Sequence, residues 1–354
     1  MQFHLLMALL TLLWGQLPLG ITLDQCADQA HIPRSLISID NAGLLQLEGQ
    51  TLSMESSLTY VKWAQDNSSL TSLNQEMLLV FCTDRLTRVN TSPLNLSESN
   101  FGAVSISSSG RYFAGGSLYN QRLTVVDFQT GEIQETSLKY LLAVAFSPDE
   151  TQIAVGGGDG IIRVLDRQTL TILTEITEIN GMTDNAVNVL AYSPDGRWLI
   201  SGNQNYGPHI WDTRAMDTPS IVLEGASVYD LDISQNGILA TSLWAGESDW
   251  LAAGVWKYEE NELGGDWILL SEIRHEEDFY ADIAISPDGS VVVLSSSDGT
   301  LHGYNAQDGQ LLFEIPYTDS IDPVITDLSF SPDGTRIALT VQGQISIFSI
   351  PESD

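Results

Sequence analysis

The sequence predicts an all-β fold, a seven-bladed β-propeller of four-stranded antiparallel blades whose last blade is closed by an N-terminal strand. Three observations carry this expectation. A Ser-centred segment such as "FSPDETQIAVGG" keeps returning, each copy reads as strand, turn, strand, hairpin, strand, and the last copy stops one strand short.

The copies are anchored at Ala64, Ser107, Ser147, Ser193, Ser234, Ser286 and Ser331, with steps of 43, 40, 46, 41, 52 and 45 residues. Before each anchor, apolar residues alternate: Val61/Trp63, Val104/Ile106, Val144/Phe146, Leu190/Tyr192, Leu231/Ile233, Ile283/Ile285 and Leu328/Phe330. A period of two marks a strand with one strongly apolar face. Pro-Asp-Gly then turns the chain, since Pro presets φ and Gly accepts a positive one. A second strand such as "RIALTV" follows, and Asp159-Gly160 or Asp298-Gly299 closes a tight hairpin. Third strands end at Asn90, Asp127, Asp166, Asp212, Lys257, Asn305 and Ser349; weaker fourth strands follow, as in "LTILTEI" and "QLLFEIP".

The phrase "YSPDGRWLISGNQNYGPHIWD", with its Trp211-Asp212 pair, resembles the second and third strands of the WD40-repeat family, and the resemblance runs from about residue 44 to 350. No Gly-His dipeptide precedes a first strand, so the His-to-Asp network of eukaryotic members is missing. The chain looks more like a divergent, bacterial-type secreted member, or a cousin of the TolB-like and lactonase propellers that share "SPDG". The resemblance implies that an early strand completes the last blade; "GLLQLEG" at 43–49 fits, with "LISID" at 36–40 in reserve.

Charge narrows the partners. With 14 Lys plus Arg against 46 Asp plus Glu, the formal charge is −32, which disfavours nucleic acid and anionic lipid and leaves a protein or glycan partner, cationic ones included. The apolar run Leu5 to Trp14 is too short to span a bilayer and suits a secretory leader. The domain plan is therefore a signal peptide at 1–20, a lead-in at 21–43 and the propeller at 44–351, with a secreted or envelope location and no membrane span once the leader is cleaved. An uncleaved anchor from Leu5 to Leu23 is the alternative. Cys26 and Cys82 can form a disulfide in an oxidising compartment or remain two thiols.

No nucleophile elbow, zinc-protease motif or Walker loop is present, and nothing calls for a cofactor. "GGGDG" at 156–160 falls on a hairpin and reads as a turn rather than a phosphate cradle. Four residues before the anchor, the last three blades carry Asp230, Asp282 and Asp327. First strands line a propeller channel, so these carboxylates either hold a divalent metal, as in a channel-mouth hydrolase or lactonase, or bond nearby backbone N–H groups. By resemblance, the second-to-third connections and those leading into first strands share one rim. That rim would gather Tyr119, Asn120, Asn205, Tyr206, Trp244, Trp250, Asp278, Phe279, Tyr280 and Tyr317. Aromatic residues among carboxylates suit recognition of a cationic or glycan-bearing partner. The leading expectation is a non-catalytic recognition scaffold; the enzyme is the alternative.

Overall fold

The structure is a computed structural model. It describes residues 36–349 except 39, 51–59, 66, 68, 74–76, 84–86, 94–102, 118–120, 178–185, 204–206, 217–219, 222–226, 245–250, 261–264, 275–279, 297, 318–324 and 342. The described residues form seven four-stranded antiparallel sheets, the blades of a β-propeller. Blades 1 to 6 occupy 60–93, 103–137, 141–177, 187–221, 227–274 and 280–316, each with its strands in sequence order. Blade 7 takes three strands from 325–349 and its fourth, Gln46–Gln50, from the start of the chain. First strands of blades 2 to 7 pack side by side in order, that of blade 7 lies against that of blade 1, and Tyr60 of blade 1 packs on Ile106 and Phe113 of blade 2, so the ring closes around an axis lined by first strands.

The closing strand is the expected one. Gln46 faces Ser349, Leu47 faces Phe348 and Gly49 faces Ile347 in an antiparallel ladder. The reserve segment also has a role. Ile37 is buried against blades 6 and 7, and its N–H donates to Gly334 O at 3.0 Å.

The core lies between blades rather than at one centre, because each sheet buries both faces. Leu141, Val144 and Phe146 of blade 3 pack on Leu123 and Val125 of blade 2. Its other face supplies Ile162 and Val164 to a cluster with Leu199 and Trp211 of blade 4. The close approach has a glycine requirement: a Cβ on Gly202 would lie 2.6 Å from Val228 Cγ1 of the next blade.

The recurrent Ser and Asp make a self-sufficient turn. Ser331 Oγ donates to Asp333 Oδ1 at 2.6 Å and accepts from Arg336 N at 2.9 Å, while Asp333 Oδ1 also accepts from Thr335 N. Ser147 repeats the arrangement with Asp149 and Gln152. The final Gly supplies positive φ, as at Gly334 with φ 70°, but blade 3 puts Glu150 there with φ 60°. The strain is offset because the Glu150 carboxylate accepts Ser109 N–H at 2.6 Å and the Ser108 hydroxyl at 3.1 Å, tying blade 3 to blade 2. Ser331→Ala removes a buried hydroxyl that both donates and accepts. It should cost about 1–2 kcal/mol and lower the melting temperature by several degrees. An unchanged melt would show that the turn holds without it.

In blade 5, Leu251 begins a nine-residue third strand, Leu251–Glu259, paired with Asp266–Arg274. Residues 252–256 are all buried, the continuous apolar run of a strand covered on both faces. At its far end Trp198, Tyr258 and Trp267 pack with ring centroids 4.8 to 5.8 Å apart, and Arg197 stacks over Trp198 and Tyr258.

Candidate functional site: the channel end and its rim

Two features share one end of the ring: the rim where second strands finish and first strands begin, and the channel wall just below it. Seven of the rim candidates, Tyr119, Asn120, Asn205, Tyr206, Trp250, Asp278 and Phe279, lie outside the described residues. Trp244 ends the second strand of blade 5 and Tyr280 begins the first strand of blade 6, so the backbone brings both to this end. Tyr317 corrects the sequence reading. Its ring is buried in the cluster between blades 6 and 7, and its hydroxyl donates to Ser296 O at 2.9 Å. An aromatic residue just after a fourth strand can fold back over its own blade, and this one does.

"GGGDG" is the expected turn. Asp159 Oδ2 pairs with Arg163 at 2.8 Å, and Arg163 Nε also reaches Glu175 at 3.0 Å. His209 and His302 are both buried. In blade 4, Trp211 Nε1 donates to Ser201 Oγ at 3.1 Å and Asn203 Nδ2 lies 3.0 Å from His209 Nδ1, a polar core that cross-links the second and third strands.

The Asp column proves to be mostly a set of latches between blades. A first strand pairs on one edge only, and its inner N–H groups face the channel without ladder partners. Asp230 Oδ2 accepts Ile283 N–H of blade 6 at 3.0 Å, and Asp327 Oδ2 accepts Val61 N–H of blade 1 at 2.7 Å. Asp232, which sequence reasoning missed, accepts Ile285 N–H at 3.0 Å and its neighbour Ile233 N–H at 2.8 Å. The available signal was an acidic residue two places before the anchor, where other blades carry Lys62, Ser105, Ala145, Ala191, Ala284 and Ser329. Among the described residues no group of three or more His, Cys, Asp or Glu could hold a metal ion. The metal arc of Asp230, Asp282 and Asp327 is thereby corrected: the first and last spend their carboxylates on backbone.

Burial raises the pKa of all four groups, and for Asp230, Asp282 and Asp327 another carboxyl raises it further. Asp282 is pushed up to about 7 by burial and then by Asp327. Asp327 also reaches about 7, from burial and Asp230, against the pull of Val61 N–H and Lys62. Asp230 is raised well above the ordinary range by burial and by Asp282. Asp232 is raised by burial, although Ile285 N–H and Lys62 hold it down.

Comparison with known proteins agrees with this architecture. The family described as "WD domain, G-beta repeat" matches residues 133–166, 173–212 and 269–305. Each match starts in a fourth strand and ends in the next blade's third, the one-strand offset that ring closure requires. Protein groucho of Drosophila melanogaster is 26% identical over 54% of this chain and 25% of its own length. Target of rapamycin complex subunit wat1 of Schizosaccharomyces pombe is 26% identical over 55% of this chain and 59% of its own. An uncharacterized WD repeat-containing protein, sll1491, of Synechocystis is 29% identical over 37% of this chain and 36% of its own. The chain thus spans less than two thirds of the length of each of these relatives. The crystal structure of the Myceliophteria thermophila Cps50 (Swd1) β-propeller domain superposes with a TM-score of 0.71 over 86% of this chain and 99% of that one, at 14% identity, which speaks for the fold alone. Matched repeats, WD-repeat relatives and seven closed blades together support a WD40 β-propeller.

Proposed function

We propose that this protein is a non-catalytic recognition scaffold, secreted or held in the cell envelope, that binds a protein or glycan partner through the rim at the channel end. The observation that carries the reading is architectural. A closed ring fixes the ends of its strands, so connections from different blades form one composite surface whose residues vary independently of the core. A relative described as a complex subunit supports a protein partner. The formal charge of −32 favours a cationic one.

Export is supported by the apolar leader and by cysteine chemistry. Cys82 is buried and disulfide-bonded; Cys26, the other cysteine, lies outside the described residues. Peptide mapping of the native protein should recover a Cys26–Cys82 linkage. Reduction should then lower the melting temperature, the loop closure being worth about 4 kcal/mol. Two free thiols in protein from its native source would remove this support for export.

The decisive test of function is a pull-down from the native envelope fraction with the parent and a Trp244→Ala/Trp250→Ala variant. A partner retained by the parent and lost by the variant, with chelators making no difference, is the expected outcome. Equal retention by both would move recognition off this rim.

A further inference from the structure

Asp282 stands in the same column as Asp230 and Asp327, yet it is held differently. The N–H that its position would reach on blade 7, that of Leu328, donates instead to Asp327 Oδ1 at 3.0 Å. Asp282 Oδ2 is buried with no hydrogen-bond partner. The ladder shows the same break. Asp230 faces Ser242 and Asp327 faces Thr340, but in blade 6 pairing passes from Tyr280 directly to Ile283, leaving Asp282 outside it.

A buried carboxyl oxygen without a donor is costly, the more so when charged, and two further carboxyls act in the same space. Lys62 acts on Asp232 and Asp327 but is not among the charges acting on Asp282. The other titratable groups around the cluster, Tyr60 of blade 1 and Tyr317 and Asp298 of blade 6, bring no positive charge. A hard divalent ion, which takes roughly six to eight oxygens, is poorly served where Asp230 and Asp327 already hold backbone donors. A lysine-type ammonium, with three donors and no acceptor, needs far fewer fixed ligands.

We propose that Asp282, flanked by Asp230 and Asp327, seats a lysine ammonium group carried by a partner protein at the channel end. This rests on the recognition reading and gives the partner its chemistry. The ammonium and the carboxyl proton compete for one place, so binding releases a proton to solvent and tightens as pH rises towards neutrality.

The test is calorimetric titration of the full chain with the blocked tripeptide acetyl-Gly-Lys-Gly-amide, its norleucine counterpart, spermidine and calcium chloride, at pH 6 and pH 8. The lysine peptide should bind, the norleucine peptide should not, and Asp282→Asn should weaken binding at least tenfold. The parent alone supplies a second readout, tighter binding at pH 8 than at pH 6 with proton release at the lower pH. Equal binding by Asp282→Asn or by the norleucine peptide overturns the proposal, as does pH-independent affinity. Tighter binding of free spermidine than of the peptide overturns the assignment to a protein side chain, and displacement by micromolar calcium overturns it in favour of a metal. A failed pull-down beside successful peptide binding would fault the rim alone, and the reverse would fault the seat alone.

Discussion

A chain lacking residues 36–50 will not form a ring that melts cooperatively near the parent temperature. Those residues supply the fourth strand of blade 7 and, with Ile37, Ala42 and Leu45, part of the core between blades 6 and 7. Burying an Ile and a Leu side chain is worth about 1.5–3 kcal/mol each, and removal also strips the partner from the strand Gln344–Ser349. The loss is on the order of 5 kcal/mol or more, a large part of the 5–15 kcal/mol that holds a typical domain together. Damage here spreads because Asp327 of blade 7 latches Val61 of blade 1, and that contact exists only while the circle is closed. Circular dichroism on heating should show a broad, early transition, or the variant should aggregate through its open edge. Ile37→Ala is the graded version, with an expected cost of about 2–4 kcal/mol and a native spectrum. A deletion variant melting like the parent would show that blade 7 is stable with three strands.

The fold was legible in the sequence because its determinants are local. The Ser-Pro-Asp-Gly turn carries its own hydrogen bonds within five residues, from Ser331 to Arg336, so composition alone reveals it. The missing last strand pointed to closure by the start of the chain for a similar reason: an unpaired edge is costly wherever it falls. What failed depends on contacts outside the local segment, most of them to a neighbouring blade. Nothing in the spelling distinguishes Asp282 from Asp230; the difference is that Leu328 N–H is already engaged while Ile283 N–H is free to donate across. Glu150 shows the same limit. In the sequence it is a defective turn residue, whereas in space its carboxylate caps the turn of blade 2. Tyr317 was assigned outward on its position after a fourth strand, and only the Ser296 carbonyl explains why it turns in.

Stability should fall as pH rises from about 4 to above 7, against the usual preference of folded proteins for neutrality. A carboxyl whose pKa is raised on folding binds its proton more tightly in the native state. Its contribution is complete below the unfolded value and is lost as pH climbs through the folded one. For Asp282 and Asp327 that window runs from 3.8 to about 7, and Asp230 and Asp232 move in the same direction. Each of the first two shifts corresponds to at most ~4 kcal/mol. The turn carboxylates oppose this trend, but only at lower pH. Asp149 is held below its ordinary value chiefly by the Ser147 hydroxyl. In Asp288 and Asp333 burial works against ionisation, yet the hydroxyl and backbone donors of the turn outweigh it. These three groups stabilise above the unfolded value, and their contribution is lost as pH falls through their folded values, below 3.8. The melting temperature should therefore peak in mildly acidic solution and drop by on the order of 10 °C between pH 5 and pH 8. Asp282→Asn, which removes a charge but no backbone latch, should melt above the parent at pH 8 and close to it at pH 5. A parent profile that is flat or rising from pH 5 to pH 8 would mean that the channel carboxyls are solvated well enough to ionise at little cost. In that case their crowding on blades 5 to 7 would have no energetic consequence for the ring.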